Sequence, residues 1–243
     1  MPSPPHLERT VLRRQGPQRR LLVLLHGYGE SPADLSDRLD LIDPGGDFCA
    51  VVPDAPFERR SRAIWHRGTN AGIEAEEQFL VSLAALDALL GELEDELGLP
   101  SAEAVVGGFS QGGGLALGLL LGADVRRRPA AGFGICSFPP FVRGFRVDRA
   151  AAAGHPYFLS SARQDHFAPI ESSRAGAALI RDSGLDLTYV ESEGEHVMTD
   201  EAAGQVGLWL AALQRGERHP TDDLLAGTTG PHPTFDGRWE HVS

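Results

Sequence analysis

The sequence of 243 residues contains no lysine, and all 22 of its basic residues are arginine. This absence excludes Schiff-base chemistry, a pyridoxal-phosphate anchor and the lysine of a phosphate-binding P-loop. Acidic residues outnumber basic ones by 34 to 22, which gives a formal net charge of -12. Because non-specific nucleic-acid binding depends on basic side chains that neutralise phosphates, the sequence predicts no nucleic-acid partner.

Cysteine and long apolar runs are also scarce. The two cysteines, Cys49 and Cys136, are far apart in the sequence, and no cysteine or histidine spacing is typical of a structural zinc site. We therefore expect two buried thiols and no bound metal. The longest purely aliphatic run near the N-terminus, residues 21–25, is far too short to span a bilayer, and no signal-peptide pattern precedes it. These features predict a cytoplasmic protein with no integral membrane segment.

Short apolar runs alternate with segments of helical periodicity along most of the chain. The predicted strands cover residues 21–25, 48–52, 104–107, 130–136, 157–161 and 185–191, and the predicted helices cover residues 72–97, 111–121, 169–182 and 199–213. Strands that alternate with helices predict an α/β fold with a mostly parallel central sheet and helices on both faces.

The two ends of the chain differ in composition from the middle. Residues 1–20 are predicted to form an N-terminal arm with an edge strand at residues 9–14, and residues 21–213 to form the main domain. Residues 214–243 are a C-terminal tail rich in Gly, Pro, Thr, Asp and His. This tail is either loose or an arm that packs back on the domain, and its histidines lack metal-ligand spacing.

A G-x-S-x-G motif occupies residues 108–112, with Ser110 at its centre. It lies between a predicted strand and a predicted helix, which is the setting that this motif requires in a nucleophile elbow. The flanking glycines permit a tight turn, and the start of a helix favours a developing negative charge. We therefore predict that Ser110 is a nucleophile; the alternative is a serine in an ordinary packing turn.

A serine nucleophile needs a base, and the base needs an orienting acid. In this class of fold the chain order is serine, acid, histidine. Asp165 and His196 each follow a predicted strand by a short loop, so both should emerge at the same sheet edge as Ser110. The rival residues, less suitable by position, are His155, His166, Asp182, Asp186 and Asp200.

The reaction also needs two N–H donors for the developing oxyanion. The amide of Gln111, which follows the nucleophile, is one candidate. The amide of Tyr28, in the loop after the first buried strand, is the other. His26 in the same loop is expected to brace the loop rather than to take part in the chemistry.

These segments together resemble the phospholipase/carboxylesterase family of α/β-hydrolases, which includes the acyl-protein thioesterases. The matching segments, in chain order, are LVLLHGYG at 22–29, PDAP at 53–56 with Trp65 after it, GGFSQGG at 107–113, Asp165 with Ala168 and Pro169 after it, and GEH at 194–196. The resemblance implies an α/β-hydrolase fold, a catalytic triad of Ser110, Asp165 and His196, an oxyanion hole formed by Tyr28 and Gln111, and no cofactor.

Some segments depart from the family pattern, and these departures bear on which substrate the protein takes. Ser161 and Ala162 stand where the family usually has His-Gly, and the tail has no counterpart. Residues 57–68 contain four arginines. Because a guanidinium group suits carboxylate or phosphate, Arg59 and Arg62 are candidates for binding an anionic substrate. The alternative is an ordinary surface loop. By the resemblance, Trp65 is a further candidate for substrate binding.

The expected function is that of a cofactor-free serine esterase acting on a small-molecule ester or thioester through an acyl-enzyme on Ser110. Two alternatives stay open. The same nucleophile could serve acyl transfer or a non-hydrolytic reaction, or the chain could be a ligand-binding protein that has lost catalysis. The sequence also leaves a homodimer open.

Overall fold

Strands and helices alternate along residues 3–12, 19–68, 72–217 and 240–241, which are the residues that the computed structural model describes. The strands are β1 (Arg9–Leu12), β2 (Arg20–Leu25), β3 (Phe48–Pro53), β4 (Phe57–Arg59), β5 (Arg62–Ile64), β6 (Val105–Phe109), β7 (Ala131–Ile135), β8 (Arg146–Val147), β9 (Pro156–Ala162), β10 (Asp186–Ser192) and β11 (Glu240–His241). The helices are α1 (Pro32–Ser36), α2 (Leu39–Ile42), α3 (Ile73–Leu97), α4 (Gln111–Leu121), α5 (Arg149–Ala152), α6 (Ile170–Asp182) and α7 (Asp200–Gln214), and a 3-10 turn covers Ser101–Glu103.

The central sheet has seven strands in the order β1-β3-β2-β6-β7-β9-β10. Every neighbouring pair from β3 to β10 is parallel, and only β1 runs antiparallel, against β3. The prediction of a mostly parallel sheet is therefore confirmed. Because β2 and β6 are neighbours, with Leu25 opposite Gly108, the loops that follow these two strands meet at the same edge.

Helices cover both faces of this sheet, as predicted. Strand β2 shows the division, because Leu21, Val23 and Leu25 belong to one apolar core and Leu22 and Leu24 to the other. The first core is completed by α3, α4 and α6, and the second by α1, α2 and α7. Strands that are apolar on both faces are typical of parallel sheets covered in this way.

Helix α4 is the most deeply placed helix, since every residue from Gln111 to Leu121 is buried. Its limits coincide with those predicted from the sequence. A helix that is apolar all round belongs inside the protein, and α4 contacts both α3 and the strands β6 and β7. Its first residue follows directly on the serine turn, so the position of that turn is fixed by the core.

The structure describes part of each end of the chain. The edge strand spans Arg9–Leu12, and residues 13–18 lie outside the described residues. At the other end, β11 runs parallel to β8, so this part of the tail packs against the domain. The remaining tail positions, 218–239 and 242–243, lie outside the described residues.

Among the described residues, none of the helices has the length and hydropathy needed to cross a membrane. The cytoplasmic location stays a prediction from the sequence.

The contact between α4 and β2 gives a test of the packing. A Cβ atom at Gly112 would lie 2.0 Å from the carbonyl oxygen of Leu25, whereas one at Gly204 in α7 would meet nothing within 4 Å. We expect Gly112→Ala to lower the free energy of unfolding by about 2 kcal/mol or more, because the backbone of α4 or of β2 must move to make room for the added methyl group. The matched change Gly204→Ala should raise it by about 0.5–1 kcal/mol. Urea unfolding of both variants measures this, and an equal response would contradict the packing account.

Candidate active site

Ser110 lies in the sharp turn between β6 and α4. Its backbone has φ 50° and ψ -113°, outside the regions that residues other than glycine readily adopt. The turn is held by a hydrogen bond from the Ser110 amide to the Ile135 carbonyl at 2.9 Å. A Cβ atom at Gly108 would lie 2.1 Å from the Leu25 carbonyl oxygen, so the motif's first glycine allows the turn to approach β2. The serine is thereby presented at the carboxyl edge of the sheet.

The structure brings Ser110, His196 and Asp165 into one hydrogen-bonded line. His196 Nε2 lies 2.9 Å from Ser110 Oγ, and His196 Nδ1 lies 2.6 Å from Asp165 Oδ2. The other carboxylate oxygen, Asp165 Oδ1, accepts from the amides of Phe167 and Ala168, both at 2.8 Å. The Asp165 side chain is 1% exposed and that of His196 15%. A buried, fully hydrogen-bonded carboxylate fixes the orientation of the imidazole.

Two phenylalanine rings flank the His196 imidazole. The ring centroids of Phe109 and His196 are 4.9 Å apart, and those of Phe167 and His196 are 5.1 Å apart. Phe109 is buried, whereas Phe167 is 81% exposed. Val197, the residue after His196, is also exposed. The His196 side of the site is therefore apolar, a feature that the sequence motifs did not indicate.

The loop after β2 arranges its amides in a definite way. The Gly27 amide donates to Glu30 Oε2 at 2.8 Å, and the Gly29 amide donates to the Ala63 carbonyl at 2.8 Å. The Glu30 amide donates back to the Gly27 carbonyl at 3.3 Å. Among the described residues, this leaves the Tyr28 amide as the one donor of the turn without an acceptor. No sequence motif indicates this role of the Glu30 side chain, because its partner is set by the turn.

Glu30 is half-buried, and burial raises the pKa of its carboxyl group above the usual range. The hydrogen bond from Gly27 acts in the opposite direction, and so does the nearby His196. The carboxylate therefore lies within electrostatic reach of the imidazole while it holds the loop.

Trp65 connects this loop to the serine turn. Its indole N–H donates to the His26 carbonyl at 2.9 Å, and its backbone N–H donates to Gln111 Oε1 at 3.3 Å. Gln111 Nε2 in turn donates to the His66 carbonyl at 2.8 Å. Trp65 is fully buried, so its ring offers no surface to a substrate in this structure. The hydrogen bonds of Trp65 hold the two loops together, and its contact with substrate stays a prediction from the sequence.

His26 is also fully buried, and its Nδ1 lies 2.8 Å from the Gly27 carbonyl oxygen. Burial lowers the pKa of this imidazole. The position agrees with the expectation that His26 braces the loop. Arg59 and Arg62 are exposed on the hairpin formed by β4 and β5, and the side chain of Arg62 lies against Gly29.

Cys136 lies beside the acid and the histidine. Its sulfur, a carboxylate oxygen of Asp165 and a ring nitrogen of His196 lie within 4.8 Å of one another, which makes them the one group among the described residues that could hold a metal. Burial and the negative charge of Asp165 raise the pKa of the Cys136 thiol to about 12. The thiol therefore stays protonated near neutral pH and is not a competing nucleophile.

The sheet order and the serine turn at its carboxyl edge define an α/β-hydrolase. The chain belongs to the Phospholipase/Carboxylesterase family, whose model matches residues 7–203. This is a family of carboxylesterase and phospholipase hydrolases, and the family resemblance seen in the sequence is confirmed.

Individual relatives agree with this placement. The protein MhqD of Bacillus subtilis (strain 168) is 24% identical over 196 residues, which cover 80% of this chain and 94% of MhqD. The carboxylesterase of Bacillus cereus superimposes with a TM-score of 0.74 at 18% identity, over 84% of this chain and 93% of that one. Acyl-protein thioesterase 2 of Zea mays gives a TM-score of 0.65 at 19% identity, over 84% and 98%. At these identities the structural likeness establishes the fold.

Proposed function

We propose that this protein is a serine hydrolase that cleaves carboxylic ester or thioester bonds through an acyl-enzyme on Ser110. The hydrogen-bonded line from Ser110 through His196 to Asp165 carries the proposal. Its position at the carboxyl edge of a parallel sheet, where α/β enzymes bind their ligands, supports it. The family, with its carboxylesterases and phospholipases, supports an ester as substrate.

In the first step Ser110 Oγ attacks the carbonyl carbon, and His196 Nε2 takes the hydroxyl proton. The distance of 2.9 Å between these two atoms suits that transfer. The Nδ1–H of His196 donates a hydrogen bond to Asp165. This bond holds the imidazole in the required tautomer, and the carboxylate stabilises the imidazolium that forms. The Phe109 and Phe167 rings pack against the imidazole, with ring centroids 4.9 and 5.1 Å from its own.

The negative charge that develops on the carbonyl oxygen needs two donors. The Gln111 amide begins α4, where no acceptor within the helix is available to it, and the helix start carries partial positive charge. The amides on either side of Tyr28 donate to the Glu30 side chain and to the Ala63 carbonyl, which leaves the Tyr28 amide available to the substrate. These two amides are our candidates for the oxyanion hole.

His196 then gives this proton to the leaving alcohol or thiol, whose bond to the carbonyl carbon breaks, and this completes the first half of the reaction. An acyl group then remains on Ser110 Oγ. Water attacks this acyl-enzyme as His196 removes one of its protons, and the carboxylic acid leaves as Ser110 regains its hydrogen. Every step uses side chains of this chain and water.

Loss of the serine hydroxyl tests the proposed nucleophile. Ser110→Ala should abolish turnover of p-nitrophenyl butyrate and covalent labelling by a fluorophosphonate probe, because no other group in the site can form the bond. Circular dichroism checks that the variant is folded. Labelling that persists in Ser110→Ala would refute the assignment.

The hydrogen bond from the Gly27 amide to the Glu30 carboxylate gives a second test, which asks whether this bond positions the loop after β2. Glu30→Ala removes the acceptor that holds the loop, so we expect kcat to fall by about tenfold with little change in KM. Glu30→Gln keeps an acceptor oxygen and should retain most of the activity. Steady-state kinetics on p-nitrophenyl butyrate compares the two. If Glu30→Gln were as impaired as Glu30→Ala, the loop would not depend on that hydrogen bond.

A further inference from the structure

The hairpin formed by β4 and β5 is fixed against the candidate active site. The Ala63 carbonyl accepts the Gly29 amide at 2.8 Å, which ties β5 to the loop after β2. Directly after β5, Trp65 and His66 bond through their backbones to the Gln111 side chain, next to Ser110. The hairpin is thus held at the edge of the site by two separate sets of bonds.

The register of the hairpin decides which side chains face the site. Arg59 is paired with Arg62, and Phe57 is paired with Ile64. Paired residues share a face, and so do residues two apart, so both arginines lie on the face of the buried Ile64. Glu58, which alternates with them, lies on the opposite face. The arginine face is therefore the one turned toward the domain.

Arg62 shows where this face lies relative to the loop after β2. A Cβ atom at Gly29 would be 2.9 Å from Cδ of Arg62 and 3.4 Å from its Cβ. The aliphatic part of Arg62 thus covers the residue that follows Tyr28. Both arginines are nevertheless exposed, so their guanidinium groups are accessible at the rim of the site.

The hairpin also contains two unfavourable features. Like charges on directly paired residues repel each other, as Arg59 and Arg62 do here. The turn between them has Arg60 at φ 52° and Ser61 at φ 58°, in the left-handed region where such hairpins prefer asparagine and glycine. Strained residues of this kind are often found at ligand-binding segments. A bound anion would offset the repulsion.

The charges of this hairpin are not neutralised within the part of the chain that the structure describes. Arg59, Arg60 and Arg62 form no ion pair there, although the protein has a net charge of -12. Arg67, a few residues further on, does find a carboxylate and lies 3.0 Å from Glu74. Guanidinium groups that accumulate in an acidic protein with no carboxylate partner among its described residues are a feature that an anionic ligand would explain.

From this arrangement we infer that Arg59 and Arg62 form an anion-binding subsite, and that the ester substrate carries a carboxylate or phosphate group bound there. Guanidinium groups bind both of these anions through paired N–H donors. The apolar rim made by Phe167 and Val197 belongs to the His196 side, so the anionic group lies on the hairpin side and the apolar part on the other. This inference rests on the proposed function in taking the ligand to be an ester.

The test compares esters of equal acyl length. p-Nitrophenyl pentanoate is neutral, mono-p-nitrophenyl glutarate adds a terminal carboxylate, and p-nitrophenyl 4-phosphonobutyrate adds a phosphonate. In the double variant Arg59→Gln/Arg62→Gln, kcat/KM should fall by about tenfold for an anionic ester and change by less than about twofold for the neutral one. The anionic ester with the larger loss identifies the group. Added salt should lower the wild-type preference for that ester.

A matched control is the double variant Arg126→Gln/Arg149→Gln. It removes the same charge from two exposed positions that precede β7 and β9, at the opposite edge of the sheet. This control should keep the wild-type ratio of anionic to neutral kcat/KM. An equal loss for neutral and anionic esters in the hairpin variant, no loss for either anion, or the same loss in the control would overturn the subsite.

Failure of the subsite and failure of the proposed function can be told apart. If the wild-type protein hydrolyses none of the three esters, the proposed function fails. Calorimetric titration of Ser110→Ala with uncleaved mono-p-nitrophenyl glutarate then still tests the subsite, since binding requires no turnover. Adding Arg59→Gln/Arg62→Gln to that variant should weaken the affinity by about tenfold, and unchanged affinity would overturn the inference.

Discussion

The close approach of the serine turn to the Leu25 carbonyl is the constraint on which the site depends. Gly108 and Gly112 both lie so near this oxygen that neither has room for a Cβ atom. That contact, and the burial of all of α4, hold Ser110 in a backbone conformation that costs about 1–3 kcal/mol. The sheet and the buried helix supply this stability, and the result is a serine hydroxyl that projects toward the histidine.

The same contact joins the other parts of the site. Leu25 ends β2, so the loop that carries Tyr28 begins beside the serine turn. The side chain of Gln111 then bonds to the backbone after β5, and Trp65 bonds back to the His26 carbonyl. Because these connections are short, Ser110, the candidate oxyanion donors and the arginine hairpin have fixed relative positions. Hydrogen-bond donors that are already in position stabilise the charge of a transition state strongly, because they need no rearrangement during the reaction.

Much of this arrangement could be predicted from the sequence, because it depends on periodicity and on order along the chain. The limits of α4 and the meeting of Ser110, Asp165 and His196 at one sheet edge follow from the alternation of strands and helices. The β4–β5 hairpin could not be predicted, since its strands have three residues each and its turn is Arg-Ser rather than a typical turn pair. The bond from Gly27 to Glu30 and the burial of Trp65 arise from tertiary contacts that no local pattern shows.

The central claim is that Asp165 orients His196 so that it can activate Ser110, and Asp165→Asn tests it most directly. The asparagine keeps the size of the side chain but can favour the wrong imidazole tautomer. The account predicts an unchanged fold by circular dichroism and a kcat for p-nitrophenyl butyrate lower by about four orders of magnitude. A folded Asp165→Asn variant with activity near that of the wild type would contradict it.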